Sequence, residues 1–137
     1  MQKVKHRIII DTNLWISFLL TKDLSKIDSL LKGNHAKLLF CDELLEEFIE
    51  VANRPKFKKY FSQSDIKSLL GKIHTKAAFI TIKSAINLCR DSKDNFLLAL
   101  AIDGNASHLI TGDIDLLVLN KIESTEIVSI TNYLSLL

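Results

Sequence analysis

A chain of 137 residues with 47% hydrophobic and 25% charged residues has ordinary globular composition, and predicts one domain spanning residues 1–137. That apolar content excludes disorder, four glycines and one proline exclude collagen-like and low-complexity classes, and a net charge of +2 selects no partner by itself. Cys41 and Cys89 match no zinc or thioredoxin spacing, which points to a reducing, cytoplasmic setting rather than a disulfide framework.

The start of the chain is basic and then apolar, with Lys3, Lys5 and Arg7 ahead of Ile8, Ile9 and Ile10. Asp11, Thr12 and Asn13 interrupt the apolar stretch, so it reads neither as a signal peptide nor as a membrane span, and no membrane partner is expected. Arg7 to Ile10 instead predicts a short buried strand. Asp11-Thr12-Asn13 supplies capping residues for a helix from Leu14 to Leu20. Lys37 to Phe40 predicts a second strand, and Cys41-Asp42 caps a helix from Glu43 to Asn53 that stops near Arg54-Pro55. Ser62-Gln63-Ser64-Asp65 is a helix-start signal, and that helix is expected to run to about Phe79. A helix from Lys93 to Asp103 ends at Gly104-Asn105. His108 to Thr111 and Glu126 to Ile130 complete the expected strands. Alternating strands and helices predict a three-layer α/β/α fold with a central, mostly parallel sheet, Rossmann-like but without a glycine-rich loop.

In such sheets, ligands bind beyond the carboxyl ends of the strands. Asp11 follows the first strand directly and Asp113 closely follows the third; each reads either as a cap or turn residue or as a strand-end ligand. Glu47 lies on the helix after the second strand. On a helical wheel it sits about 110° from the centre of the apolar face, against about 150–170° for Glu43, Glu46 and Glu50, so it is the acid nearest the packed side. Asp94 is in line with Leu97, Leu98 and Ala101 and occupies a first helical turn, where the helix dipole favours a carboxylate. Four carboxylates at one sheet edge would repel without cations, and hard oxygen donors suit Mg²⁺ or Mn²⁺. Such a site activates water and clamps a phosphate during in-line displacement.

Four segments in order, covering nearly the whole chain, resemble the motifs of the PIN domain, and within it a VapC-like toxin group. They are Ile8-Ile9-Ile10-Asp11-Thr12-Asn13, Cys41 to Phe48 with Asn53 to Phe57, Cys89 to Asn95 with Ala99 and Ala101, and Leu109 to Asp113 with Asp115-Leu116-Leu117. The resemblance implies a metal-dependent endoribonuclease with a water nucleophile. Asp11, Glu47, Asp94 and Asp113 would be its catalytic acids and its Mg²⁺ or Mn²⁺ ligands. Thr12, Asn13, Asp91, Thr111 and Asp115 would support them. It also implies an RNA substrate, an antitoxin partner and a homodimer. Cys41 and Ser92 depart from the Ser or Thr and the Pro common in that group, and neither removes a ligand.

From Arg54 to Lys83 there are eight Lys and Arg residues against one acid, Asp65. Within this segment Lys56-Phe57-Lys58-Lys59-Tyr60-Phe61 interleaves bases with aromatics. It reads either as an RNA contact through Lys56, Lys58 and Lys59 or as a solvated face whose aromatics pack in the core or a dimer. The four histidines show no metal-ligand spacing, and Walker, Gly-x-Gly-x-x-Gly and Gly-x-Ser-x-Gly motifs are missing from the sequence. Three alternatives stand beside the toxin nuclease: a PIN nuclease processing RNA outside a toxin system, a haloacid-type phosphatase, and a non-catalytic RNA-binding module. Against the phosphatase, Asn13 stands where such enzymes carry a second aspartate.

Overall fold

The computed structural model describes residues 6–21, 36–86 and 92–136. Over these residues the elements are β1 (His6–Ile10), α1 (Thr12–Thr21), β2 (Ala36–Phe40), α2 (Asp42–Ala52), a 3₁₀ turn (Pro55–Phe57), α3 (Gln63–Lys76) and β3 (Ala77–Phe79). Then follow α4 (Ser92–Asp103), β4 (His108–Ile110), α5 (Ile114–Leu117), β5 (Lys121–Ile122), β6 (Thr125–Val128) and α6 (Ile130–Ser135).

The strands form one six-stranded sheet in the order β3-β2-β1-β4-β6-β5. All pairings are parallel except β5 with β6, a tight hairpin. Ile8, Ile9, Ile10, Leu38, Leu39, Phe40, Leu109 and Ile110 are fully buried, as expected of central strands covered on both faces. The register sets Ile10 opposite Ile110, so β1 and β4 end side by side. The Asp11 N–H continues the ladder by donating to the Ile110 carbonyl at 3.0 Å.

The strand-helix alternation matches the expected fold, with local corrections. Ala77-Ala78-Phe79 is not the end of the preceding helix: α3 stops at Lys76, and the next three residues pair with Leu38, Leu39 and Phe40 as an edge strand. Two alanines favour a helix locally, but an open edge of β2 supplies backbone partners that a longer helix would forgo. The last predicted strand ends at Val128 rather than Ile130, because the Ser129 hydroxyl accepts from the Asn132 N–H and starts α6. Thr111 lies just past β4, and the four-residue α5 and two-residue β5 are too short to leave a periodic signal in the sequence.

α4 is fastened at its carboxyl end. The Gly104 N–H closes onto the Leu100 carbonyl at 2.8 Å, and Asn105 takes the left-handed conformation with φ 51°. A Cβ on Gly104 would stand 2.9 Å from the Leu100 carbonyl oxygen and 2.9 Å from Leu39 Cδ1, so this close approach requires glycine. The Arg7 guanidinium donates to the Gly104 carbonyl at 2.8 Å. Asp103 accepts from the Lys83 and Ser84 N–H groups and the Ser84 hydroxyl, which holds its carboxyl below the usual range.

At the amino edge of the sheet, α6 docks through Tyr133, its one fully buried side chain. The Tyr133 hydroxyl shares a 2.7 Å hydrogen bond with His6 Nδ1, and its ring meets His108 edge-on at 5.0 Å. His108 also faces His6 at 4.7 Å, Ser107 Oγ at 2.9 Å and Glu126 Oε2 at 3.3 Å. Burial, then the His6 charge, pull its pKa below 6.5, against the opposing pull of Glu126. The unfolded chain therefore takes up this proton first as pH falls, and stability declines below about pH 6.5. Melting temperature measured from pH 7.5 to 5 should fall, and His108→Asn should flatten that dependence; an equally steep decline in the variant would assign it to other groups.

Candidate active site

The buried run Ile8-Ile9-Ile10 carries Asp11 to the carboxyl edge of the sheet, where it is only 6% exposed. Its carbonyl starts α1 by accepting from the Leu14 and Trp15 N–H groups. Its carboxylate accepts from the Thr12 and Asn13 backbone N–H groups, and Oδ2 accepts from the Thr111 hydroxyl at 2.7 Å. The same Thr111 oxygen accepts from the Asp113 N–H at 3.0 Å. Asp113 in turn caps α5, with Oδ1 accepting from the Asp115 N–H at 2.9 Å. One threonine hydroxyl thus ties the acid after β1 to the acid after β4.

This environment works against an ionised Asp11. Burial raises its pKa above 3.8 most strongly, the three hydrogen bonds oppose that, and the Asp113 charge raises it further. A nearby cation would reverse the balance.

Glu47 is half-buried on α2 whereas Glu43, Glu46 and Glu50 are exposed, as the helical wheel predicts. α2 packs against α4, and a groove of about 330 Å³ between them is lined by Glu43, Glu46, Glu47, Glu50 and Phe96. Asp94, half-buried in the first turn of α4, lies two residues before Phe96. The tightly connected acids are therefore the pair Asp11 and Asp113, with Glu47 and Asp94 on the flanking helices. Among the described residues no group of three or more His, Cys, Asp or Glu side chains is arranged to hold a metal ion. The donor set still fits Mg²⁺ or Mn²⁺. Its oxygens are hard, Asp11 and Asp113 form a like-charged pair, and Mg²⁺ commonly uses one or two carboxylates while keeping water and phosphate oxygens as its other ligands.

The residues expected to support the acids divide. Thr111 reaches the acid pair through its hydroxyl, and Asp115 reaches Asp113 through its backbone N–H. Thr12 and Asn13 act through their backbones; the Thr12 hydroxyl is buried and lacks a partner among the described residues. Asp91 lies outside the described residues. Sequence reasoning missed Trp15, whose indole N–H donates to the Ile10 carbonyl at 3.0 Å immediately before Asp11. A lone tryptophan four residues after a strand-end acid was the available signal.

A family model described as PIN domain matches residues 7–115, from the start of β1 to Asp115. The chain belongs to the PIN-domain family. PIN domains are generally nucleases. This PIN chain is 30% identical over 122 residues to the uncharacterized protein MJ1680 of Methanocaldococcus jannaschii, covering 87% of this chain and 78% of that protein. It shares its fold with a chain in the crystal structure of VapBC2 from Rickettsia felis bound to a DNA fragment from their promoter. That match has a TM-score of 0.60 at 16% identity and covers 88% of this chain and 96% of the other. No helix among the described residues is long and apolar enough to cross a membrane.

Proposed function

We propose that this PIN chain is a Mg²⁺- or Mn²⁺-dependent endoribonuclease, and that it acts as the toxin of a toxin–antitoxin pair. The observation that carries the nuclease reading is the Asp11–Thr111–Asp113 linkage across the ends of two adjacent parallel strands. Asp11 and Asp113 would hold the cation, with Glu47 and Asp94 completing the acidic wall toward the α2–α4 groove. When bound, the cation would supply charge stabilisation at the phosphate and a more acidic water. Thr111 fixes the direction of the Asp11 carboxylate, and the Thr12 and Asn13 N–H groups keep it ionisable despite burial. The toxin reading is supported by fold likeness to a chain of a VapBC complex, and brings with it an antitoxin partner, a homodimer and a cytoplasmic setting.

Purified protein should cleave RNA when Mn²⁺ is present and not in EDTA, and should leave a phosphomonoester substrate intact; the reverse pattern would favour a phosphatase. Asp94→Asn should remove nearly all cleavage and weaken Mn²⁺ binding, because Asp94 has a fixed direction in the first turn of α4. Asp91→Asn should cost about 10- to 100-fold, as for a residue that orients a ligand. A dead Asp91→Asn beside an active Asp94→Asn would move the ligand to Asp91. Production of the protein with and without the product of an adjacent small reading frame tests the toxin role, with growth arrest relieved by that product as the expected result.

A further inference from the structure

The basic segment after α2 carries three aromatics, and the structure separates them. Phe61 is buried, and Phe57 is half-buried and stacks on it with ring centroids 5.6 Å apart. Lys56 Nζ lies 5.1 Å over the Phe57 ring, so that ring is used on both sides. Tyr60 is different: it is 53% exposed and has no ring or side-chain partner among the described residues. Its backbone is nevertheless ordered. The Tyr60 N–H donates to the Phe57 carbonyl at 2.9 Å, and two residues later Ser62 and Asp65 form a reciprocal capping box that starts α3. Lys56, Lys58 and Lys59 are all exposed around it. Asp65, the one acid of the segment, is engaged with the Ser62 N–H at 2.9 Å and does not neutralise them.

An exposed aromatic face on a hydrogen-bonded backbone, inside a cluster of unneutralised cations, matches a polyanion whose units carry flat apolar faces. Double-stranded nucleic acid presents phosphates but keeps its bases stacked inside, and an acidic protein surface has charge without the faces. We propose that Tyr60 is a stacking platform for an unpaired base of single-stranded RNA, with Lys58 and Lys59 engaging the flanking phosphates. In sequence, this segment follows α2, the helix that carries Glu47, through the 3₁₀ turn Pro55–Phe57. The choice of RNA over other single strands rests on the nuclease reading above; the stacking geometry does not.

The test is fluorescence anisotropy of a labelled 12-nucleotide single-stranded RNA and of its duplex, in EDTA. Binding is then read without cleavage, so loss of the platform and loss of the acidic site are separate results. Wild-type protein should bind the single strand more tightly than the duplex. Tyr60→Ala should weaken single-strand binding on the order of 5- to 100-fold with little change in the salt slope, and Tyr60→Phe should retain it. Lys58→Ala with Lys59→Ala should instead flatten the slope of log affinity against log salt, by about 0.7 for each lost phosphate contact. Unchanged binding in Tyr60→Ala, equal loss in Tyr60→Phe, tighter binding of the duplex, or binding of poly-glutamate but not RNA would each overturn the proposal.

Discussion

Asp11→Asn should abolish Mn²⁺-dependent RNA cleavage and also raise the melting temperature of the metal-free protein at neutral pH. Both effects come from one carboxylate. Its burial and the Asp113 charge raise its pKa above 3.8, so keeping it ionised at pH 7 works against folding. Asparagine has the same shape and keeps an oxygen for the Thr111 hydroxyl, so the strand-end geometry survives while the charge goes. The sign of the pH dependence follows. A carboxyl whose folded pKa is raised contributes most stability below its unfolded pKa and loses that contribution as pH rises through the folded value. The gain in Asp11→Asn should therefore be largest at neutral pH and fade near about pH 4. Paired thermal melts in EDTA at the two pH values, with cleavage assays at neutral pH, test this. Unchanged stability together with retained cleavage would remove Asp11 from the site.

The second large effect is expected at Trp15. The side chain is fully buried, meets Phe18 edge-on at 5.9 Å and lies 5.8 Å from Phe40, and its N–H holds the Ile10 carbonyl at 3.0 Å. Trp15→Ala removes ring and hydrogen bond together and should cost about 3–5 kcal/mol. Trp15→Phe separates the two. It keeps much of the packing but leaves a buried carbonyl without its donor, at a cost of about 1–3 kcal/mol. Because that carbonyl belongs to the peptide leading into Asp11, cleavage should fall in Trp15→Phe even where urea titration shows the variant folded. Full activity in a folded Trp15→Phe would confine the indole to a packing role.

The central strands were legible because a parallel sheet covered on both faces selects short continuous apolar runs, and Ile8-Ile9-Ile10 and Leu38-Leu39-Phe40 are such runs. Edge elements carry no such signature. Ala77-Ala78-Phe79 becomes a strand through the free edge of β2, a partner distant in sequence, and Lys121-Ile122 pairs in a hairpin with β6 but is too short to show an alternating pattern. In the candidate site, Asp11 could be picked out by its place after a buried strand, and Glu47 by its angle on the helix. The Thr111 bridge could not, since it joins residues 100 positions apart through a hydroxyl that resembles any turn threonine. Nor could the sequence say which aromatic of residues 57–61 faces outward, because their spacing fits a packed cluster as well as an open platform.

The anchoring of Gly104 has a mechanical consequence. α4 is a strut about 15 Å long between Asp94 and Gly104, at about 1.5 Å per residue. One end is held by Arg7, near the amino end of β1, and packs closely on Leu39 of β2, and the other carries Asp94. A rigid rod displaced at its clamp moves its far tip as well. A change at Gly104 would therefore be felt ten residues away at Asp94, with the helix as the lever between them.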